Sequence, residues 1–219
     1  MTKDQLPARL LVVFDVDSTL IQDEVIELLA DHAGKRSEVE AVTARAMAGE
    51  LDFAGSLKAR VATLAGLPDS VIKETLATLT ITPGVIEAIE YIHRIGGKAG
   101  AVSGGFIELL GPLAQQLNLD FYRANALEVS GGFLTGNVTG PIIDKPAKAT
   151  ALTEWANALG LHLNNTVAVG DGANDLDMME IAGLSVGFNA KPRVRDKADV
   201  LIGRNDLRDL IPLLGFSDR

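Results

Sequence analysis

Residues 10–20 read LLVVFDVDSTL. Leu10, Leu11, Val12, Val13 and Phe14 form an unbroken apolar run, which predicts a strand buried on both faces. Asp15 and Asp17 stand where that strand stops, with Ser18 and Thr19 just behind. A helix cap accounts for Asp17 or Ser18 but not for Asp15. Two carboxylates this close repel each other unless a cation or a shared proton intervenes. Mg²⁺ is a suitable cation: it is hard and takes carboxylate, phosphate and water oxygens.

Four more apolar runs resemble the first: 98–102, 166–169, 184–188 and 199–202. Helical patterns lie between them at 83–97, after 106 (where Pro112 threatens a kink), at 145–160 and at 176–183. Strands alternating with helices predict an α/β fold with a doubly wound parallel sheet. Two segments break the alternation. Residues 22–80 contain no convincing strand and read as four amphipathic helices near 22–33, 36–48, 52–65 and 68–79. They form a helical-bundle insertion, so 1–21 and 81–219 make the core. Residues 122–143 alternate in polarity around Ser130–Gly132 and predict a small β-hairpin.

In such sheets ligands sit beyond the C-terminal strand ends. Polar residues gather at three of those ends: Asp15–Thr19, Ser103–Gly105 and Gly170–Asp175. The third, GDGAND, has the spacing of the first two glycines of a dinucleotide loop, but its acids would repel a pyrophosphate. Asp171 and Asp175 suit a cation instead. Ser103 and the backbone N–H groups of Gly104 and Gly105 suit an anion at a helix start. A lysine near a helix start is usually solvated, but here one could balance this negative charge. Lys148 and Lys145 both have suitable positions.

Composition narrows the chemistry. Among 219 residues there is no Cys, which removes disulfides, thiolate zinc sites and thiol catalysis. His32, His93 and His162 show no paired metal spacing. A net charge of −9 argues against nucleic acid and anionic membranes as partners. The first apolar run is too short and too soon acidic for a signal peptide, so a cytoplasmic protein is expected. The oligomeric state is not legible.

The order DVDST, VSGGF, Lys148, TVAVGDGANDLDM resembles the haloacid dehalogenase-like phosphohydrolases, whose core is Rossmann-like. Within them, the stretch AMAGELDFAGSLKARVATL in the insertion is similar to the phosphoserine phosphatase family. The resemblance implies a Mg²⁺-dependent phosphatase releasing serine and phosphate from O-phospho-L-serine in serine biosynthesis. It implies Asp15 as the nucleophile that becomes an aspartyl-phosphate, and Asp17 as the acid and then the base. The metal would be held by Asp15, the Asp17 carbonyl and Asp171. Ser103, Gly104, Lys148 and Asn174 would hold the phosphoryl oxygens, with Asp175 in support. Glu24 would take the substrate ammonium and Arg60 its carboxylate, with Met47 and Phe53 walling the pocket. The insertion would act as a cap hinged near 20–22 and 80–83. The regulatory domain of some relatives is expected to be absent, because the first strand starts so early. Another small phosphomonoester, or an alcohol in place of water as acceptor, is the alternative. A non-catalytic Mg²⁺-binding module is the third reading.

Overall fold

Strand β1 (Leu11–Phe14) runs through the centre of the protein, and all four residues are inaccessible to water. The computed structural model describes residues 8–47 and 50–215. β1 pairs in parallel with β2 (Lys98–Phe106) on one side and β5 (Thr166–Gly170) on the other. With β3 (Phe121–Ser130), β4 (Phe133–Thr139), β6 (Leu184–Phe188) and β7 (Val200–Ile202), the order is β4-β3-β2-β1-β5-β6-β7. Of the strand pairs in this sheet among the described residues, β3–β4 alone is antiparallel.

Strand periodicity sends alternate β1 residues into two cores. Val12 and Phe14 join one with Ile89 of α5 (Val85–Arg94) and Leu110 of α6 (Ile107–Gln116). Leu11 and Val13 join the other with Leu152 of α7 (Lys145–Ala158) and Met178 of α8 (Leu176–Ile181). Two covered faces explain why the strand is apolar throughout rather than alternating. The insertion forms α1 (Val25–His32), α2 (Arg36–Met47), α3 (Phe53–Ala62) and α4 (Ser70–Thr78). Short helices α9 (Pro192–Arg195) and α10 (Ile211–Leu214) close the chain's described part. No helix among the described residues is long and apolar enough to cross a membrane.

Two details differ from the sequence expectations. β2 does not stop at residue 102 but runs to Phe106, with a register slip between Val102 and Phe106. Ser103–Gly105 therefore lie inside an irregular strand end, where small residues let the backbone bend. Pro112 sits within α6 without interrupting it. The expected hairpin forms, and β3 pairs with β2 so that it extends one edge of the main sheet. Its turn has Gly131 and Gly132 at φ 59° and 83°, the left-handed values that a two-residue hairpin loop requires.

The hairpin also holds the insertion. Leu134 N–H donates to Leu67 O at 2.8 Å, and Gly66 N–H to Leu134 O at 2.8 Å. A Cβ on Gly136 would stand 2.9 Å from Ala65 Cβ, so glycine is needed where β4 meets the end of α3. At the other end the two connecting segments run side by side. Ile21 bridges Ile81, Gln22 N–H donates to Thr80 O at 2.9 Å, and Thr82 N–H to Leu20 O at 3.0 Å.

Below the sheet, Asp120 ties three elements together. It accepts from Lys98 Nζ at 2.6 Å, Ala99 N–H at 2.9 Å and faces His93 Nε2 at 2.9 Å. Burial opposes its charge, but these partners outweigh burial and hold its pKa below the ordinary value. A carboxyl with a depressed folded pKa stabilises above its unfolded pKa of about 3.9 and stops doing so as pH falls through the folded value. Asp120→Asn should therefore lower the melting temperature at neutral pH, with the gap to the parent protein shrinking below about pH 4 in thermal scans.

Candidate active site

The sheet hydrogen-bonding continues one residue past β1, where Asp15 N–H donates to Val169 O at 2.8 Å. That pins the Asp15 backbone and aims its carboxylate upward from the strand tip. Asp15 Oδ1 accepts from Val16 N–H at 2.7 Å and from Lys148 Nζ at 2.7 Å. The chain then turns sharply through Val16–Leu20, with Ser18 at φ 57°. A left-handed non-glycine residue is costly and here lies at the centre of the site.

This turn brings Asp17 back beside Asp15. Asp17 Oδ1 accepts from Val25 N–H at 2.9 Å, and Oδ2 from Ser103 Oγ at 3.2 Å. A Cβ on Gly105 would lie 3.1 Å from Asp17 Oδ2, so that glycine makes room for the carboxyl. Burial pushes the Asp17 carboxyl up to about 7, with Glu24 and Asp15 adding repulsion. It can thus keep a proton near neutral pH and give it up to a leaving group.

The loop after β5 supplies the next carboxylates. Asp175 is wholly buried and folds back under Gly170, where a Cβ would approach its Oδ2 to 2.3 Å. Asp175 Oδ2 accepts from Gly172 N–H at 3.1 Å, and Oδ1 from Lys148 Nζ at 2.7 Å. Its pKa is raised to about 7 by burial and by Asp15. Lys148, also buried, therefore bridges two carboxylates from different strands. Burial works against its ammonium, but Asp15 and Asp175 outweigh that and hold its pKa above the usual lysine value. Lys145, the other candidate, pairs with Asp177 at 2.6 Å instead.

Asp15, Asp171 and Asp175 each place an oxygen within 4.8 Å of the others. All three are buried, and burial raises the pKa of Asp171 too. A buried cluster of oxygens from two strand tips fits a hard metal ion, which would relieve the mutual repulsion that Lys148 only partly offsets. The Asp17 carboxylate lies outside this cluster, bound to Ser103 and Val25.

Above the acids lies a cleft of about 810 Å³ between the sheet and the helical insertion. Asp15, Asp17, Glu24, Phe53, Arg60 and Asn174 all line it. Glu24 accepts from Ser18 Oγ at 2.8 Å, and burial raises its pKa. Arg60 projects from α3 with Nε donating to Ser56 O at 3.3 Å. It forms no ion pair among the described residues, and burial lowers its pKa. Phe53 rests on Gly104, where a Cβ would come within 3.1 Å of the ring. Asn174 Nδ2 reaches Asp15 Oδ2 at 3.5 Å. Ser103 and Lys148 are buried behind the cleft wall, in contact with Asp17 and Asp15 respectively. The Met47 side chain lies outside the described part of the structure.

Lys191 and Arg193 also line the cleft, and sequence reasoning passed over both. A signal was present: they follow β6, a fourth strand end to which the same rule applies.

The haloacid dehalogenase-like hydrolase family matches residues 12–180. The chain belongs to the haloacid dehalogenase-like hydrolases. Among relatives of this hydrolase, phosphoserine phosphatase SerB2 of Mycobacterium tuberculosis is 52% identical over 207 residues, covering 94% of this chain and 51% of that protein. The phosphoserine phosphatase of Streptococcus thermophilus is 48% identical over 204 residues, covering 93% and 95%. The chain thus spans about half the length of the first relative and nearly all of the second. A solved phospho-aspartyl intermediate analogue of phosphoserine phosphatase superposes on this hydrolase with a TM-score of 0.89 at 40% identity, covering 94% of this chain and 99% of that one. A substrate-bound phosphoserine phosphatase complex does so with 0.89 at 39%, covering 94% and 98%.

Proposed function

We propose that the chain is a Mg²⁺-dependent phosphoserine phosphatase, hydrolysing O-phospho-L-serine to L-serine and phosphate in the cytoplasm as a step of serine synthesis. One observation carries this reading: Asp15 at a strand tip shares a cleft with Glu24 and Arg60 of the helical insertion. A nucleophile for phosphorus then faces one acid and one base, the pair a zwitterionic amino acid requires. Curated phosphoserine phosphatases among the relatives support it.

Asp15 Oδ1 is held by Val16 and Lys148, so Oδ2 is the oxygen presented to phosphorus. A bond forms from Oδ2 to phosphorus as the bond to the seryl oxygen breaks. Asp17 gives its proton to that leaving oxygen, then takes one from the water that cleaves the aspartyl-phosphate. Lys148 has three N–H donors and uses two on Asp15 and Asp175, leaving one for a phosphoryl oxygen. Ser103, the Gly104 N–H and Asn174 hold the other oxygens. Asp15, the Asp17 carbonyl and Asp171 would hold Mg²⁺, which supplies positive charge against the phosphoryl group. Glu24 takes the ammonium and Arg60 the carboxylate, while Phe53 excludes water. Residues 22–80 act as the cap, and its paired connections near 20–22 and 80–83 are the hinge.

The test is phosphate release from O-phosphoserine and from a simple aryl phosphate, with and without a chelator. Chelation should stop both. Arg60→Ala should cut kcat/KM for O-phosphoserine about 10²-fold or more, the scale for losing a charged fork on a partly desolvated carboxylate. The aryl phosphate, which has no carboxylate, should lose little. Equal losses on both substrates would remove the substrate assignment.

A further inference from the structure

Lys191 stands three residues past β6, at the mouth of the cleft. Its Nζ lies 2.9 Å from Asp171 Oδ2. Its backbone N–H also donates to the Asp171 carbonyl at 2.8 Å. The loop after β6 therefore grips the loop after β5 by main chain and side chain together. Asp171 needs this grip more than its neighbours do. Asp15 and Asp175 are both fixed by the buried Lys148, and Lys148 makes no such contact with Asp171. Among the described residues, Lys191 is the cation that pairs with Asp171.

We propose that Lys191 is a positioning residue, which fixes one oxygen of Asp171 and so sets the other toward the cation shared with Asp15. This rests on the reading that Asp171 holds a divalent cation. Two opposing effects have to be compared. The Lys191 ammonium repels an incoming cation, so removing it favours metal binding. Its side chain is 51% exposed, and water and salt screen that repulsion. Among the described residues the Asp171 carboxylate accepts a hydrogen bond from no side chain other than Lys191, so its orientation depends on that contact. Losing a hydrogen bond that orients a metal ligand typically costs about 10- to 100-fold in affinity. Orientation wins.

Mg²⁺ is titrated calorimetrically into the metal-free full chain, its Lys191→Met variant and its Lys191→Arg variant. Lys191→Met should raise the Mg²⁺ Kd about 10-fold or more, and Lys191→Arg should recover most of the loss. The metal-free circular dichroism spectra of all three should agree, so that a change in Kd is not a loss of fold. In turnover, Lys191→Met should raise the Mg²⁺ concentration needed for half-maximal rate. An unchanged Kd in Lys191→Met overturns the proposal. So does a tighter one, which would make Lys191 a competitor of the cation. A parent chain that binds no Mg²⁺ at all removes the metal reading itself, and this inference with it.

Discussion

Asp15→Asn is expected to reduce phosphate release from O-phosphoserine about 10⁴-fold or more, the scale seen when a nucleophile is deleted. An amide nitrogen cannot form the acyl phosphate, and the remaining amide oxygen is a far weaker nucleophile than a carboxylate. The fold should persist. Asn keeps an oxygen to accept from Val16 N–H, and Lys148 keeps its bond to Asp175. Circular dichroism should therefore match the parent protein while acid-quenched samples show no phosphate on the protein. Residual turnover near the parent rate would place the nucleophile elsewhere. Because Asp15 is one of the three clustered acids, Mg²⁺ binding should weaken in the same variant.

Lys148→Met should be the most damaging change to stability. It leaves Asp15 and Asp175 as buried carboxylates without their shared cation; their side chains are 5% and 0% exposed. Removing one partner from a buried ion pair costs about 3–5 kcal/mol. For a domain of this size that corresponds to a melting temperature roughly 6–20 °C lower. The pH dependence has a definite sign. Burial raises the folded pKa of Asp175 and Lys148 opposes that rise, so without Lys148 the folded state binds more protons there than the unfolded state. The deficit should therefore be full above the raised pKa and shrink as pH falls through it toward the unfolded value. Millimolar Mg²⁺ should also return part of the stability, since a ligand that binds only the folded state stabilises it. Phosphatase activity should fall as well, because the same ammonium is the one proposed to meet a phosphoryl oxygen. A variant as stable as its parent at pH 7 would contradict the buried bridge.

The helical insertion shows where local pattern suffices and where it fails. Its helices were legible from local pattern, most clearly α1, whose Val25, Ile26, Leu29 and Ala30 are buried at helical spacing, a property of neighbours in the chain. Its attachment was not. Gly66, Leu67 and Asp69 pair with the β3–β4 hairpin through backbone atoms, and backbone atoms carry no residue identity. The hairpin was legible from its glycine turn, but its place beside β2 was not, since pairing partners lie far apart in sequence. The same limit hid the true length of β2: Ser103–Gly105 look like a turn, and only the register slip shows that they end a strand.

At the site, the chain itself determined which strand ends carry acids. Asp15 and Asp171 directly follow strand-length apolar runs, with Asp17 and Asp175 two and four residues further on, and such a run delivers the residues after it to one edge of the sheet. The choice between Lys145 and Lys148 was settled only in three dimensions. The two are three residues apart on α7, yet Lys148 is buried between Asp15 and Asp175 and Lys145 points to Asp177. Lys191 likewise gained its role only when β6 packed beside β5 and brought it to Asp171. Spacing along a chain sets which residues share a face or follow a strand. Which charge meets which depends on packing between strands β1, β5 and β6 and helix α7, and that is decided by the burial of surfaces distant in sequence.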